Sequence, residues 1–261
     1  MKLSKVTILG LIFVIFISLV ACSEYKKNNN KAEGRDENKV DKKSDLPISN
    51  PNDWRIILVN RDHILSEELN IELASITKNA HQNMKIDRRI SSDYQDMVTA
   101  ANKEGINLYL RSSYRTIKLQ KSYYNASVNL YKSQGFSNEG VVRKVLEYVQ
   151  YPGASEHHTG LALDIISVEW QKNVEELIDR FDTTDAFRWL DKHAANYGFI
   201  LRYPKGKEKI TGIKYEPWHY RYVGKEVAIY LKEKNLTLEE YCSKVNDYVS
   251  KAVSNDFERK K

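Results

Sequence analysis

The stretch Ser155-Glu-His-His-Thr-Gly-Leu-Ala-Leu-Asp164 is the most informative segment of this 261-residue chain. It follows a Pro152-Gly153 turn signal and leads into a short apolar segment, residues 160–166, so it predicts a loop entering a strand. Because side chains alternate along a strand, Asp164 shares its face with only Gly160 and Ala162, while three large apolar side chains occupy the other face. We therefore expect open space beside this carboxylate, as a metal ion and a substrate require.

A second stretch, Tyr215-Glu-Pro-Trp-His-Tyr220, supplies the other candidate site residues. His157 lies seven residues before Asp164, and Glu216 lies three residues before His219 in what the sequence predicts to be a second extended segment. Two imidazoles and one carboxylate leave a tetrahedral zinc ion with one position for water, which is the arrangement of a catalytic site. We predict one zinc ion per chain, bound by His157, Asp164 and His219, with Glu216 as the base that deprotonates the water.

A His and an Asp at this spacing would be weak evidence alone, because such residues in a strand are usually hydrogen-bonded structural groups. The whole pattern Ser-x-His-x-x-Gly-x-Ala-x-Asp, followed by Glu-Pro-Trp-His, is more specific. It resembles the VanY-type D-alanyl-D-alanine carboxypeptidases, zinc peptidases that trim cell-wall stem peptides. The similarity extends over residues 108–224 and includes Ser113-Tyr-Arg115 and Tyr197-Gly-Phe-Ile-Leu-Arg-Tyr-Pro204.

The resemblance implies further roles in the site. Arg115 would face the substrate, where a guanidinium can bind a carboxylate or a developing oxyanion through two donors. Ser155, Gln120 and Tyr203 would contact the peptide.

The leading hypothesis is a zinc-dependent D-alanyl-D-alanine carboxypeptidase that removes the C-terminal D-alanine of peptidoglycan stem peptides. The same metal set would also serve an L,D-carboxypeptidase acting on tetrapeptides, or a related peptidoglycan endopeptidase or dipeptidase, because the pocket walls choose the bond. A different class is a non-catalytic lipoprotein that binds wall peptides. Glu216 argues against that class, since a binding module needs no base.

The N-terminus predicts export and lipid anchoring. Lys2 and Lys5 precede an apolar run, residues 6–20, that is shorter than the ~20 residues of a membrane span. Leu19-Val-Ala-Cys22 resembles a bacterial lipobox, which implies a signal peptide at residues 1–21 and lipid on Cys22. We expect a lipoprotein on the extracytoplasmic face of a bacterial membrane. Residues 22–46 are polar and charged, and so predict a flexible tether.

The remaining chain predicts one α+β domain, residues 47–250, followed by a charged tail, residues 251–261. We expect helices packed on a small, mostly antiparallel sheet that carries the zinc site. The predicted strands are residues 54–59, 106–110, 160–166 and 199–203, and the predicted helices are 91–103, 118–132, 138–149, 184–197, 225–234 and 236–249.

Other features of the sequence bound the function. With Cys22 lipidated, Cys242 has no cysteine partner, so no disulfide framework is expected. The formal net charge of +6 is modest for the chain length. No zinc finger, Gly-rich phosphate loop or aromatic RNA-binding signature appears in the sequence, so we predict no nucleic-acid partner. We expect a monomer.

Overall fold

The computed structural model describes residues 45–82 and 84–259. The strands are β1 (Leu73–Ile76), β2 (Met84–Asp87), β3 (Leu108–Ser112), β4 (Ala162–Ser167), β5 (Phe199–Leu201) and β6 (His219–Tyr222). The helices are α1 (Ser91–Lys103), α2 (Ile117–Ser133), α3 (Asn138–Val145), α4 (Val168–Asn173), α5 (Asp185–His193), α6 (Glu208–Thr211), α7 (Lys225–Lys234) and α8 (Leu238–Arg259). Short 3-10 turns connect several of these elements.

A four-stranded antiparallel sheet with the order β3-β4-β6-β5 carries the candidate site. In the β3–β4 register Asp164 is the partner of Ser112, and in the β4–β6 register it is the partner of His219. The central strand β4 is buried along nearly its whole length, as expected of a strand covered on both faces. The sheet therefore places Asp164 and His219 side by side on adjacent strands.

The larger hydrophobic core packs on this sheet. Helix α1 buries Tyr94, Met97 and Ala101, which recur at helical spacing on one face, against apolar residues of β3 and β4. Thr116 and Thr184 begin α2 and α5, where each side-chain hydroxyl accepts a backbone N–H of the first turn, at 3.1 Å in both cases. A second apolar cluster joins α7 and α8 to Ile48 and Ile56. The smaller cluster reaches the sheet through Ile200 of β5.

The α+β prediction and the mostly antiparallel sheet are confirmed. The predicted strand at residues 54–59 is wrong, because Trp54–Ile56 forms a 3-10 turn in which an Asp53 carboxylate oxygen accepts the backbone N–H of Arg55 at 2.9 Å. The predicted helix 184–197 ends at His193, and a separate 3-10 turn, Ala194–Tyr197, follows it. The last helix continues to Arg259, beyond the end predicted at residue 249.

The β1–β2 hairpin was not among the predicted elements. The predicted signal peptide, Cys22 and almost all of the predicted tether lie outside the described residues, so the predicted division of the chain stays a prediction. Among the residues that the structure describes, no helix combines the length and the apolar character that crossing a membrane requires.

Candidate metal centre and active site

Three side chains converge to form a candidate metal centre. Ligand atoms of His157, Asp164 and His219 all lie within 4.8 Å of one another, and all three residues are buried. Asp164 lies between the two rings, with Oδ2 3.4 Å from Nε2 of His157 and Oδ1 3.1 Å from Nδ1 of His219. The two imidazole rings are nearly perpendicular, with centroids 5.0 Å apart.

Local backbone structure aims these side chains at one point. His157 lies in a 3-10 turn, Glu156–Thr159, that ends at Gly160 in the left-handed conformation before β4 begins. Glu216 and His219 are joined by a tight turn in which the N–H of His219 donates to the carbonyl of Glu216 at 3.1 Å. The sequence predicted an extended segment here, but strand β6 begins only at His219. The turn brings Glu216 back to the candidate metal ligands, with Oε2 3.5 Å from Nδ1 of His219.

The polar atoms of this cluster have the pattern that a bound cation requires. Oδ1 of Asp164 is buried and has no hydrogen-bond partner, although it faces a ring nitrogen at short range. The Nδ1 of His157 lies 2.8 Å from the Ser113 carbonyl, which fixes the proton on that nitrogen and leaves Nε2 with a lone pair. Two imidazoles and one carboxylate fit a catalytic zinc ion, so the donor set and its orphaned oxygen are compatible with that metal.

Without a metal ion, the two histidines of the cluster differ strongly in pKa. Burial lowers the pKa of His157 to about 4. Burial also acts to lower the pKa of His219, but its contacts with Asp164 and Glu156 outweigh this and raise that pKa to about 9. Burial alone would raise the pKa of Asp164, yet the neighbouring histidines hold it well below its usual range. The carboxylate is therefore ionised, as a metal ligand must be.

Glu216 has the environment of a general base. Burial raises the pKa of its carboxyl group to about 8, with the charge of Asp164 contributing in the same direction. A cation held by the neighbouring ligands would lower this pKa again, because a nearby positive charge favours the carboxylate. A base whose pKa falls near the working pH can accept a proton and also return it.

Arg115 is held at the wall of the same site. Its Nη1 donates to Oε1 of Gln120 at 2.8 Å, and its Nη2 donates to the hydroxyl of Ser112 at 3.0 Å. Burial lowers its pKa from the usual value. Both polar atoms of Gln120 are engaged, since its Nε2 donates to the Gln150 carbonyl at 2.7 Å. The structure thus shows Gln120 orienting Arg115, and its predicted contact with the peptide stays a prediction.

Ser155 and Tyr203 line the cavity beside the ligands. Ser155 precedes the 3-10 turn, but its hydroxyl makes no cap hydrogen bond there. The Tyr203 ring packs on His219, with centroids 4.7 Å apart. Both positions suit the contacts that the sequence analysis predicted, and the contacts themselves stay predictions.

The cavity above the cluster has a volume of about 440 Å³. All eight site residues predicted within the described chain line it, together with two aromatic side chains, Tyr123 and Tyr148, that the sequence analysis did not single out. Arg115 is the only Lys or Arg among its described lining residues. A larger cavity, of about 870 Å³, lies between the Trp54 turn and α8 and includes none of the candidate metal ligands.

Two further residues lie against the site and were missed from the sequence. The carbonyl of Ser113 orients His157, and backbone contacts of this kind leave no sequence signal. Glu156 is fully buried beside the ligands, and its position between Ser155 and His157 is the only clue the sequence offers. His158, next to the ligand, is engaged elsewhere: its ring nitrogens contact the Arg115 carbonyl and the N–H of Gly153.

Comparison with known proteins identifies the family. The family model "VanY: D-alanyl-D-alanine carboxypeptidase" matches residues 83–225. The chain belongs to the VanY family. This confirms the resemblance indicated by the sequence motifs.

Individual relatives include D,D- and L,D-carboxypeptidases. A D-alanyl-D-alanine carboxypeptidase of Enterococcus faecalis is 37% identical over 191 residues, which cover 72% of this chain and 66% of that protein. A solved structure of a vancomycin-resistance D,D-pentapeptidase VanY variant in complex with Zn(II) is 36% identical, with a TM-score of 0.62, covering 72% of this chain and 98% of that one. The LdcB LD-carboxypeptidase structure is 40% identical, with a TM-score of 0.55, covering 70% of this chain and 83% of that one. The chain spans about half to two thirds of the length of three curated relatives that it matches.

Proposed function

We propose that this protein is a zinc-dependent D-alanyl-D-alanine carboxypeptidase that hydrolyses the C-terminal D-alanine from peptidoglycan stem peptides. The observation that carries the proposal is the convergence of His157, Asp164 and His219 with Glu216 in one cavity whose only described Lys or Arg is Arg115. The VanY relatives, including the one solved with Zn(II), support the metal and the reaction.

Each residue has a role that follows from its position. A zinc ion bound by the two histidines and Asp164 would polarise the scissile carbonyl and lower the pKa of a water molecule. Glu216 takes the proton from the attacking water and returns it to the departing amine of D-alanine. Arg115, held rigid by Gln120 and Ser112, donates hydrogen bonds to the developing oxyanion or to the peptide carboxylate.

An L,D-carboxypeptidase acting on tetrapeptides is the second candidate, because a structure described as an LD-carboxypeptidase is 40% identical to this chain. The two activities share the metal chemistry and differ in how the cavity wall accommodates the residue before the scissile bond. Tyr123 and Tyr148, both partly exposed, line the cavity and are candidates for that contact.

The deciding experiment is the release of D-alanine from matched pentapeptide and tetrapeptide stem peptides by the zinc-loaded protein. We expect release from the pentapeptide and little from the tetrapeptide. Release from the tetrapeptide alone would favour the L,D activity. Binding of both peptides without any release would contradict both activities and leave the peptide-binding lipoprotein.

We further propose that the protein acts as a monomer, anchored by lipid on Cys22 to the outer face of a bacterial cytoplasmic membrane. The basic start, the apolar run and the Leu19-Val-Ala-Cys22 stretch support the anchor. A substrate in the cell wall is consistent with that location.

A further inference from the structure

Glu156 is a buried carboxylate that the mechanism above does not use. Its side chain is fully shielded from solvent, and its Oε1 accepts hydrogen bonds from Nε of Arg202 at 2.8 Å and from Nη1 of Arg221 at 2.7 Å. Its other oxygen, Oε2, is buried and has no hydrogen-bond partner. A buried oxygen without a partner is costly, so its position requires an explanation.

The two arginines do not depend on that second oxygen. Arg202 makes a bidentate contact with Glu239, through bonds of 2.9 and 2.5 Å. Arg221 donates its remaining hydrogen bonds to backbone carbonyls, including that of Ile57 at 2.8 Å. The two arginines and the two glutamates, Glu156 and Glu239, make this buried group neutral overall. Both arginine contacts of Glu156 go to Oε1, so Oε2 is left for another group.

The group facing Oε2 is a metal ligand. Nε2 of His219 lies 3.7 Å from Oε2 of Glu156, and this nitrogen is also buried without a hydrogen-bond partner. The opposite ring nitrogen, Nδ1, faces Asp164 and Glu216. A neutral histidine that offers Nδ1 to a metal must carry its proton on Nε2, and metal-binding histidines generally donate that proton to a carboxylate or carbonyl.

We infer that Glu156 is a positioning residue for the metal ligand His219, accepting the Nε2 proton through Oε2 so that Nδ1 presents its lone pair to the zinc ion. The two atoms need to approach by only about 0.8 Å to reach a normal N–H···O distance. The two histidines are thus oriented by different acceptors, a carboxylate for His219 and the Ser113 carbonyl for His157. The inference rests on the proposed function only in assuming that the site binds zinc.

The test is the zinc affinity of the full-length Glu156→Gln protein, measured by competition with a chromophoric chelator. Glutamine preserves the size of the side chain but replaces the charged acceptor with a weaker one. We expect zinc to bind about 10–100-fold more weakly, the usual loss when such a supporting partner is removed. The visible absorption of the Co²⁺-substituted protein should also change, because the orientation of one ligand changes.

Glu239→Gln provides a matched control. It removes a carboxylate from the same arginine, Arg202, with the same change of charge, but Glu239 does not face a metal ligand. We expect Glu239→Gln to lower stability while leaving zinc affinity and the Co²⁺ spectrum at the wild-type values. If Glu156→Gln fails to fold, the Glu156→Gln/Arg202→Gln double variant keeps the buried group neutral, and we expect it to show the same loss of zinc affinity.

Equal zinc affinities and equal Co²⁺ spectra in the Glu156→Gln and Glu239→Gln proteins would overturn the inference while leaving the proposed function intact. Wild-type protein that binds no zinc would overturn both. Wild-type zinc binding without release of D-alanine would contradict the proposed activity, and the inference would then be decided by the affinity comparison alone.

Discussion

Glu216 and His219 lie three residues apart, and Pro217 and Trp218 form the turn between them. This turn places the carboxylate beside the three candidate metal ligands without making it one of them. We expect Glu216→Gln to retain zinc and near wild-type stability, because glutamine has the same shape. Turnover should fall by about 10²–10⁴-fold, the usual contribution of a positioned acid–base group.

The measurement is D-alanine release, combined with metal analysis of the purified variant. Glu226→Gln makes the same chemical change on the exposed face of α7 and should leave turnover unchanged. Near wild-type hydrolysis by Glu216→Gln would contradict its role as the base. Loss of zinc from that variant would make Glu216 a ligand instead.

Arg115 gives a second prediction at the scale of single residues. Its two terminal nitrogens are held by Gln120 and Ser112, so the guanidinium is fixed before substrate arrives. Arg115→Lys keeps the charge but loses the planar pair of donors. We expect kcat/KM to fall by about 10²-fold, in the range seen when an oxyanion donor is removed. An unchanged kcat/KM in Arg115→Lys would show that only the charge matters.

Zinc binding should release a proton from His219. In the metal-free protein the pKa of His219 is about 9 and that of His157 is about 4. A metal needs neutral imidazole, so below about pH 9 zinc must displace a proton from His219, whereas His157 competes only below about pH 4. Zinc affinity should therefore fall as the pH is lowered below about 9, by about tenfold per pH unit for the His219 proton, and more steeply below about pH 8, where the Glu216 proton is displaced as well.

If His219 had the ordinary histidine pKa of about 6.5, its proton would instead lower zinc affinity only at pH values below about 6. Chelator competition between about pH 6.5 and 8, corrected for protonation of the chelator, distinguishes the two expectations. A constant zinc affinity across that interval would contradict the raised pKa of His219.

At the scale of elements, the link from the ligand-bearing 3-10 turn into β4 depends on Gly160. Its φ is +68°, and a Cβ atom there would lie 2.9 Å from the backbone nitrogen of Asp87. That nitrogen also donates to the Gly160 carbonyl at 3.0 Å, so the two backbones cannot separate without losing a hydrogen bond. We expect Gly160→Ala to reduce the free energy of unfolding by about 2 kcal/mol or more, from backbone strain and the clash together.

Gly105→Ala is the matched control for Gly160→Ala. Gly105 also has a positive φ, +79°, but a Cβ there would meet no atom within 4 Å. Gly105→Ala should lower the free energy of unfolding by about 1 kcal/mol, from the strain of the left-handed conformation alone. Urea unfolding of both variants gives the comparison. Equal losses would show that the close approach to Asp87 does not contribute.

The sequence predicted the elements with strong local signals. Helix α1 has an apolar face at helical spacing, and α2 begins after a capping threonine, so both were found nearly to their ends. The segment around Trp54 has the apolar composition of a strand, but the side chain of Asp53 caps a 3-10 turn there instead. The β1–β2 hairpin was missed because its four-residue strands each contain a charged or polar residue and only short apolar runs.

In the site, too, the residues with a local sequence signal were predicted and those without one were missed. His157, Asp164, His219 and Glu216 could be named because the family pattern fixes their spacing, and the structure brings them together. Glu156, which contacts residues 46 and 65 positions later in the chain, had no such local signal. Its ion pairs with Arg202 and Arg221 can be recognised only in the folded structure, because those residues are distant in sequence.

Over the whole molecule, segments before and after the family match contact each other and the matched region. The hydroxyl of Tyr241 in α8 accepts the N–H of Ile48 at 2.9 Å and donates to the carbonyl of the same residue at 2.8 Å. Glu239 from the same helix reaches Arg202, which in turn contacts Glu156. The C-terminal helix therefore joins the start of the described domain to the back of the metal centre.

We expect the protein to be attached to a membrane through lipid on Cys22. The chain contains two cysteines, and only Cys22 follows a basic start, an apolar run and the residues Leu19-Val-Ala. In the wild-type protein we expect labelling by a fatty-acid probe and recovery in the membrane fraction. Cys22→Ser should abolish both, because the sulfur that carries the lipid is gone.

Cys242→Ser is the control for this experiment. Cys242 is partly buried in α8, where its thiol donates to the Ile56 carbonyl at 3.4 Å and burial raises its pKa to about 11. A thiol with such a high pKa is a poor nucleophile, so Cys242→Ser should leave labelling and membrane recovery unchanged. Wild-type protein released unlabelled into the medium would contradict the lipoprotein proposal, while the zinc site and its chemistry would be unaffected.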